Sequence, residues 1–173
     1  MNVLQRQFGP HFVEMVKASP RLLADFRRLR RRGVRIKILR GSIDAWCIKD
    51  EKLVALGTGN PAQVSVLALA HEANHMLRER ISMSAVDRVS EAHWVREFME
   101  EETDCFYREA QIADDLQRAG FKLTKYARSW LRTMRRGGRA AVRKRVHRTR
   151  VIGTKLSYPE YVRAMYRETR TAA

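Results

Sequence analysis

Only two cysteines, Cys47 and Cys105, occur in this chain of 173 residues. Two are too few for a disulfide scaffold, and they lie too far apart to form a local zinc knuckle. No run of about 18 apolar residues is present, so no transmembrane segment is expected. A basic start leading into a continuous apolar stretch is also missing, which argues against a classical signal peptide. A cytoplasmic protein is therefore the default expectation; signal-independent secretion, or delivery into another cell, would leave no mark of this kind. Neither an internal repeat nor a long low-complexity linker appears.

Acidic residues are scarce in one region. Residues 120–173 carry 16 Lys/Arg against 2 Asp/Glu, whereas residues 1–119 carry 19 against 17. The formal charge of +16 thus resides almost wholly in the C-terminal third, which has to be reasoned about separately. A hydrophobic fraction of 45% is ordinary for a folded chain, and the length suits one domain with a real core. We expect a core over residues 1–119, with residues 120–173 forming a basic helical extension packed on the same domain.

What is present reads as an α+β, helix-rich pattern. Apolar positions from Phe12 to Arg32 follow a helical period, with Ser19-Pro20 as a point of division and Gly33 as the stop. Val34–Leu39 has alternating character at first and leads to a turn at Gly41-Ser42, and Ala45–Ile48 and Lys52–Leu56 read as two strands joined by a tight turn. They predict a small antiparallel sheet. Asn60 is the expected cap of a second helix running to about Arg80. Ser82-Met83-Ser84 interrupts the pattern, and a third helix is expected from Ser84 or Ala85 to Ala119. Beyond Gly120 the sequence predicts a helix broken at Gly137-Gly138, then a last helix opening near Pro159.

Inside the second helix lies His71-Glu72-Ala73-Asn74-His75, an HExxH arrangement. Residues four apart share a helix face, so His71 and His75 can hold one ion together. Glu72 is displaced around the helix, where it can act as a general base without ligating the ion. The preceding Val66–Ala70 supplies the apolar approach that a buried metal helix needs. Two helical histidines can also be ordinary polar groups beside a core. Zinc suits imidazole plus carboxylate, although iron, cobalt and nickel use the same ligand types.

A third ligand has to come from elsewhere. Along Glu91–Leu116, the positions Val95, Phe98, Glu102, Cys105, Phe106, Ala113 and Leu116 fall close to one stripe. Glu102 is the carboxylate this apolar surface carries inward, and a buried carboxylate is costly unless paired or coordinated. Glu101 is expected to face elsewhere. His93 is a rival ligand, and Glu109 a rival or a partner to a histidine ring nitrogen. Asp104 is a candidate for orienting a ring. Cys105 reads as a small buried filler, with metal ligation the alternative.

His71–His75 followed by Glu100-Glu101-Glu102-Thr103-Asp104-Cys105-Phe106 resembles the ImmA/IrrE type of compact zincin. That family pairs an HExxH helix with a later helix of approximate motif E-x-E-A-N/D-x-F-A. The resemblance covers roughly residues 34–116 and places the first Glu at Glu100, the metal-binding Glu at Glu102, the Asn/Asp at Asp104 and the Phe at Phe106. Thr103 and Tyr107 stand where the family carries small residues, and no helix-turn-helix partner domain is evident. Small toxin-type HExxH domains of bacterial secretion systems are similar in size. Either resemblance implies a minimal zincin fold, a Zn2+ cofactor and a protein or peptide substrate.

The expected reaction is peptide-bond hydrolysis with Glu72 moving the proton. Tyr158 and Tyr161 are candidate donors to the oxyanion on chemical grounds. In the basic third, Arg132, Arg135, Arg136, Arg139, Arg143, Lys144, Arg145 and Arg148 are dense enough to suggest nucleic-acid backbone binding. Trp130 or Tyr126 would then be possible stacking platforms. Binding of an acidic protein, cover for the acidic face around Glu97–Asp115, and contact with anionic lipid compete with that reading. A nucleic-acid-binding protein with a structural metal is the alternative to the metallopeptidase.

Overall fold

The computed structural model describes residues 2–78 and 83–171, with side chains described from Leu4 to Arg78 and from Val86 to Thr171. Three helices open the chain: α1 (Asn2–Phe8), α2 (Pro10–Ala18) and α3 (Pro20–Arg31). The division between α2 and α3 falls at Ser19-Pro20. Ser19 accepts a hydrogen bond from the Leu22 amide and caps α3, while Pro20 sits at the first helical turn, where its missing N–H costs nothing. Strands β1 (Arg35–Leu39), β2 (Ala45–Ile48) and β3 (Leu53–Gly57) follow, then α4 (Ala62–Leu77), a 3-10 turn (Met83–Arg88), α5 (Glu91–Arg118), α6 (Lys125–Val146) and α7 (Tyr158–Thr171).

The fold is α+β and helix-rich, and its sheet is mixed. β3 lies in the centre, antiparallel to β2 and parallel to β1. The β2–β3 hairpin agrees with the expected antiparallel sheet, whereas the parallel β1–β3 pairing departs from it. β2 intervenes in sequence and takes the far side of β3, so β1 meets β3 running the same way. Only β3 is largely buried, and β2 is an edge. The loop after β3 presses so closely on residues 41–44 that a Cβ at Gly57 would collide with the Ser42 carbonyl.

Helix α4 is central. Leu67, Leu69, Ala70, His71, Glu72, Ala73, Asn74 and His75 are all buried, so burial runs around the helix and not along one stripe. It packs against α2, α3, α5 and the sheet. Its first turn lacks the expected cap: Asn60 donates to the Ile43 carbonyl at 2.7 Å, and Pro61 occupies the cap position without a side-chain bond. The expected continuation to Arg80 and the interruption at Ser82 lie outside the described residues. The third helix begins later than expected, at Glu91, because Ser90 caps it through the His93 amide. Residues 83–88 form the separate 3-10 turn.

Two apolar clusters meet along α5. One joins α2, α3, β3, α4 and the C-terminal half of α5, through Phe12, Leu22, Leu56, Leu67, Ile112 and Leu116 among others. The other joins the N-terminal half of α5 to α6 and α7, through Trp94, Phe106, Trp130, Val142, Val162 and Tyr166. Each fully buried side chain of this size contributes about 1.5–3 kcal/mol. Within α6, the backbone leaves helical geometry at Gly137 and Gly138, the expected break. No helix among the described residues is long and apolar enough to cross a membrane.

Candidate metal centre

His71 and His75, one turn apart on α4, have ring centroids 4.9 Å apart and face α5. The Nδ1 atoms are both held by carboxylates of that helix. His71 Nδ1 lies 2.7 Å from Glu109 Oε1, and His75 Nδ1 lies 2.7 Å from Glu101 Oε1. An ionised carboxylate only accepts, so each Nδ1 donates and each Nε2 presents its remaining valence to the cluster interior. There both Nε2 atoms meet Glu102: His71 Nε2 is 3.4 Å from Oε2, and His75 Nε2 is 3.4 Å from Oε1. That separation is long for a hydrogen bond. It matches the spacing of two ligands held tetrahedrally at ~2.1 Å from one ion, about 3.4 Å. Glu102 Oε2 is buried and has no hydrogen-bond partner among the described residues. The donor set of two imidazoles and a carboxylate fits a divalent cation in chemistry and in spacing.

Cys105, one turn beyond Glu102, belongs to the same buried group. Ligand atoms of His71, His75 and Cys105 lie within 4.8 Å of one another, so this trio also could hold a metal. Its sulfur accepts a hydrogen bond from Asn74 Nδ2 at 3.2 Å. Glu102 and Cys105 are thus two candidates for the third ligand, both carried by α5.

The electrostatics express the same crowding. Burial lowers the pKa of His71, but Cys105 with Glu102 and Glu109 outweighs it and holds the ring well above its usual value. His75 is raised in the same way, by Cys105, Glu102 and Glu101 against burial. Glu102 moves in the other sense: burial favours its neutral form, yet His75 and His71 hold it well below the carboxylate range.

Each orienting carboxylate has its own anchor. Glu109 Oε2 accepts from the Tyr126 hydroxyl at 2.7 Å, and Glu101 accepts from Lys49 Nζ at 2.6 and 2.9 Å. Phe106 packs edge-on against His71 at 4.8 Å and stacks on Trp130 at 4.4 Å, which fixes the ring from a third side.

A cleft of roughly 430 Å³ opens over this cluster. Its walls are β2, with Trp46, Cys47 and Ile48, and α7, with Tyr158, Tyr161 and Met165. Glu72 lies in its floor, where its carboxylate acts on the Cys47 thiol of the wall. Burial and then Glu72 push the Cys47 thiol up to about 12. Burial, followed by the charges of Glu102 and Glu109, also raises Tyr158, so its phenol stays protonated and able to donate.

Several expected assignments change. Glu101 does not face elsewhere; it orients His75. The helical spacing carried that signal, because Glu101 is four residues before Cys105 as Glu102 is four before Phe106. Lys49, Cys47 and Tyr126 were not anticipated, since strand and helix must first be docked to bring them to the histidines. His93 is exposed, beside Arg96 at 2.7 Å, and takes no part in the cluster. Among the described residues Asp104 contacts no histidine: it pairs with Arg139 at 2.6 Å and Arg78 at 2.8 Å, beside a different cleft from the one over the histidines.

The basic residues of α6 divide into two groups. Arg135 pairs with Asp114 at 2.6 Å, Arg139 with Glu100 at 2.8 Å as well as Asp104, and Arg143 with Glu100 at 2.9 Å. Arg145 sits 3.8 Å over the Trp130 ring. The first three cover α5, the expected acidic face, whereas Arg145 is held within α6 itself, donating to the Ser129 carbonyl and the Thr133 hydroxyl. Arg132, Arg136, Lys144 and Arg148 are exposed and make no ion pair among the described residues. Trp130 is only 2% exposed and cannot serve as a stacking platform, and the Tyr126 hydroxyl is committed to Glu109. Comparison with family models, with curated proteins and with solved structures gives no match to this chain.

Proposed function

We propose that this chain is a zinc-dependent metallopeptidase, with His71, His75 and Glu102 as metal ligands and Glu72 as general base. The observation that carries the reading is the meeting of both Nε2 atoms, each at 3.4 Å, with a buried carboxylate whose Oε2 has no hydrogen-bond partner among the described residues. A structural ion would need the ligands alone; an additional buried carboxylate and an open cleft on the same side favour chemistry.

When bound, zinc supplies Lewis acidity, which makes water a nucleophile near neutral pH and polarises a carbonyl. The chain's own groups do the rest. Glu72, in the cleft floor, takes the proton of the attacking water and returns it to the departing amine. Tyr158, kept protonated by its surroundings, is the donor best suited to an oxyanion forming in the cleft, with Tyr161 beside it. Edge strand β2 offers unpaired backbone groups along one wall, and an extended peptide is the substrate shape that such an edge accepts.

Metal analysis of purified protein, followed by assay on an unstructured protein substrate such as casein, tests the proposal. One bound zinc is expected, with activity lost in Glu72→Gln while zinc is retained. Glu102→Ala should lose zinc and Cys105→Ala should keep it. Turnover undiminished in Glu72→Gln would refute the mechanism. Zinc lost from Cys105→Ala but kept by Glu102→Ala would move the third ligand to the sulfur.

A further inference from the structure

Arg135, Arg139 and Arg143 are accounted for by α5 and Arg145 by the Trp130 ring, and the other basic residues of this region have no role in the reaction. Lys125, Arg128, Arg132 and Arg136 are spaced three or four residues apart and fall on one helix face. That face is opposite the one carrying Ala127, Trp130 and Leu131, which are buried. All four are exposed, and none makes an ion pair among the described residues. Past the break at Gly137-Gly138, Lys144 is again exposed and makes no ion pair among the described residues, on the side of α6 away from buried Val142 and Val146, and Arg148 is exposed in the turn that follows the helix. A helix rises ~1.5 Å per residue, so successive charges in the first stretch follow each other every 4.5–6 Å or so, a continuous row over about three turns.

We propose that this outer face of α6 is a phosphate-backbone binding surface for nucleic acid. A row of fixed cations along a rod-like element suits a polymer carrying regularly spaced phosphates, whose counterions are released on binding. A lipid surface is less suited. The large apolar side chains exposed among the described residues are Ile43, Ile48, Tyr126, Ile152 and Leu156, and only Tyr126 belongs to α6, so this face has little to insert among acyl chains. With Trp130 buried and the Tyr126 hydroxyl tied down, base stacking is not provided for. Recognition is therefore electrostatic and independent of sequence. The inference does not depend on the peptidase reading, because no residue of the metal cluster takes part.

Fluorescence anisotropy with a labelled 20-base-pair DNA duplex, across a salt series, reads it directly. Six phosphate contacts predict a slope of log K against log salt of about −5. The variant Arg128→Gln/Arg132→Gln/Arg136→Gln should bind at least 10-fold more weakly and flatten the slope by about 3, with an unchanged melting curve. An equal loss of charge elsewhere, Arg27→Gln/Arg30→Gln/Arg31→Gln on the exposed side of α3, should leave binding within about 2-fold. Glu72→Gln should bind DNA like the wild type. If both triple variants weaken binding equally, the attraction belongs to the net charge and the α6 surface is refuted. Binding to phosphatidylserine vesicles or to poly-glutamate, with none to the duplex, would refute it as well.

Discussion

The two histidines are held by carboxylates whose own partners differ in charge. Glu109 is anchored by a neutral phenol, Glu101 by an ammonium that draws its charge away from the ring. Removing either carboxylate frees a ring to rotate, so Glu101→Gln and Glu109→Gln should each weaken zinc binding about 10–100-fold, measured by competition with a chelator. Lys49→Met should weaken it less than Glu101→Gln, since the hydrogen bond to His75 survives. A second expectation concerns the Cys47 thiol, pushed up to about 12 by burial and Glu72. A group whose folded value lies above its unfolded value of ~8.5 stabilises the fold fully below that unfolded value. That contribution is lost as pH rises toward 12. In the metal-free protein, Cys47 should therefore react slowly with a disulfide reagent at pH 8, and Glu72→Gln should speed the reaction. A rapid reaction at pH 8 that Glu72→Gln leaves unchanged would contradict this account of the thiol.

Local chain chemistry made some elements readable in advance and others not. Helix α4 was legible because its apolar and metal-ligating positions repeat with the helical period, and the α2–α3 division because Pro20 cannot continue a helix. The parallel β1–β3 pairing was not, because strand order depends on contacts between segments distant in sequence. Glu102 could be picked from its stripe. Glu101 was missed although its spacing from Phe98 and Cys105 places it beside the same seam, an error of helix phase. The Arg135, Arg139 and Arg143 pairings were invisible as individual contacts, since they require α6 to dock on α5 in one register. The break in α6 can be tested by substitution. Gly138 has φ 56° and ψ −149°, a region essentially reserved for glycine, and a Cβ there would meet nothing within 4 Å. Gly138→Ala should thus destabilise by about 1–3 kcal/mol through backbone conformation alone. Gly137, at φ −164°, is in ordinary extended backbone, and its Cβ would approach only the Ala141 Cβ at 3.0 Å. Gly137→Ala should cost less, and urea unfolding of the two variants ranks them.

At the scale of the whole chain, α5 is the element on which everything else depends. Its C-terminal half closes the cluster around Phe12 and Leu67, its N-terminal half the cluster around Trp130 and Val162, and three cluster carboxylates lie between them. The C-terminal third is also part of the candidate site: Tyr126 anchors Glu109, Trp130 supports Phe106, and Tyr158, Tyr161 and Met165 form one wall of the cleft. A fragment ending at residue 119 would expose Trp94 and Phe106, leave Glu109 without its phenol and open the cleft to solvent. Burying that apolar surface is worth several kcal/mol, a large share of the 5–15 kcal/mol by which a domain of this size is stable. The full-length protein should unfold in a single transition, with near-ultraviolet circular dichroism from Trp94 and Trp130 coinciding with the far-ultraviolet signal. The 1–119 fragment should lose the near-ultraviolet signal and bind zinc at least 10-fold more weakly than the whole chain, by the loss of ring orientation. A fragment that keeps both its tertiary signal and its zinc affinity would make residues 120–173 an appended module, and the tyrosine wall would then lose its claim on the chemistry.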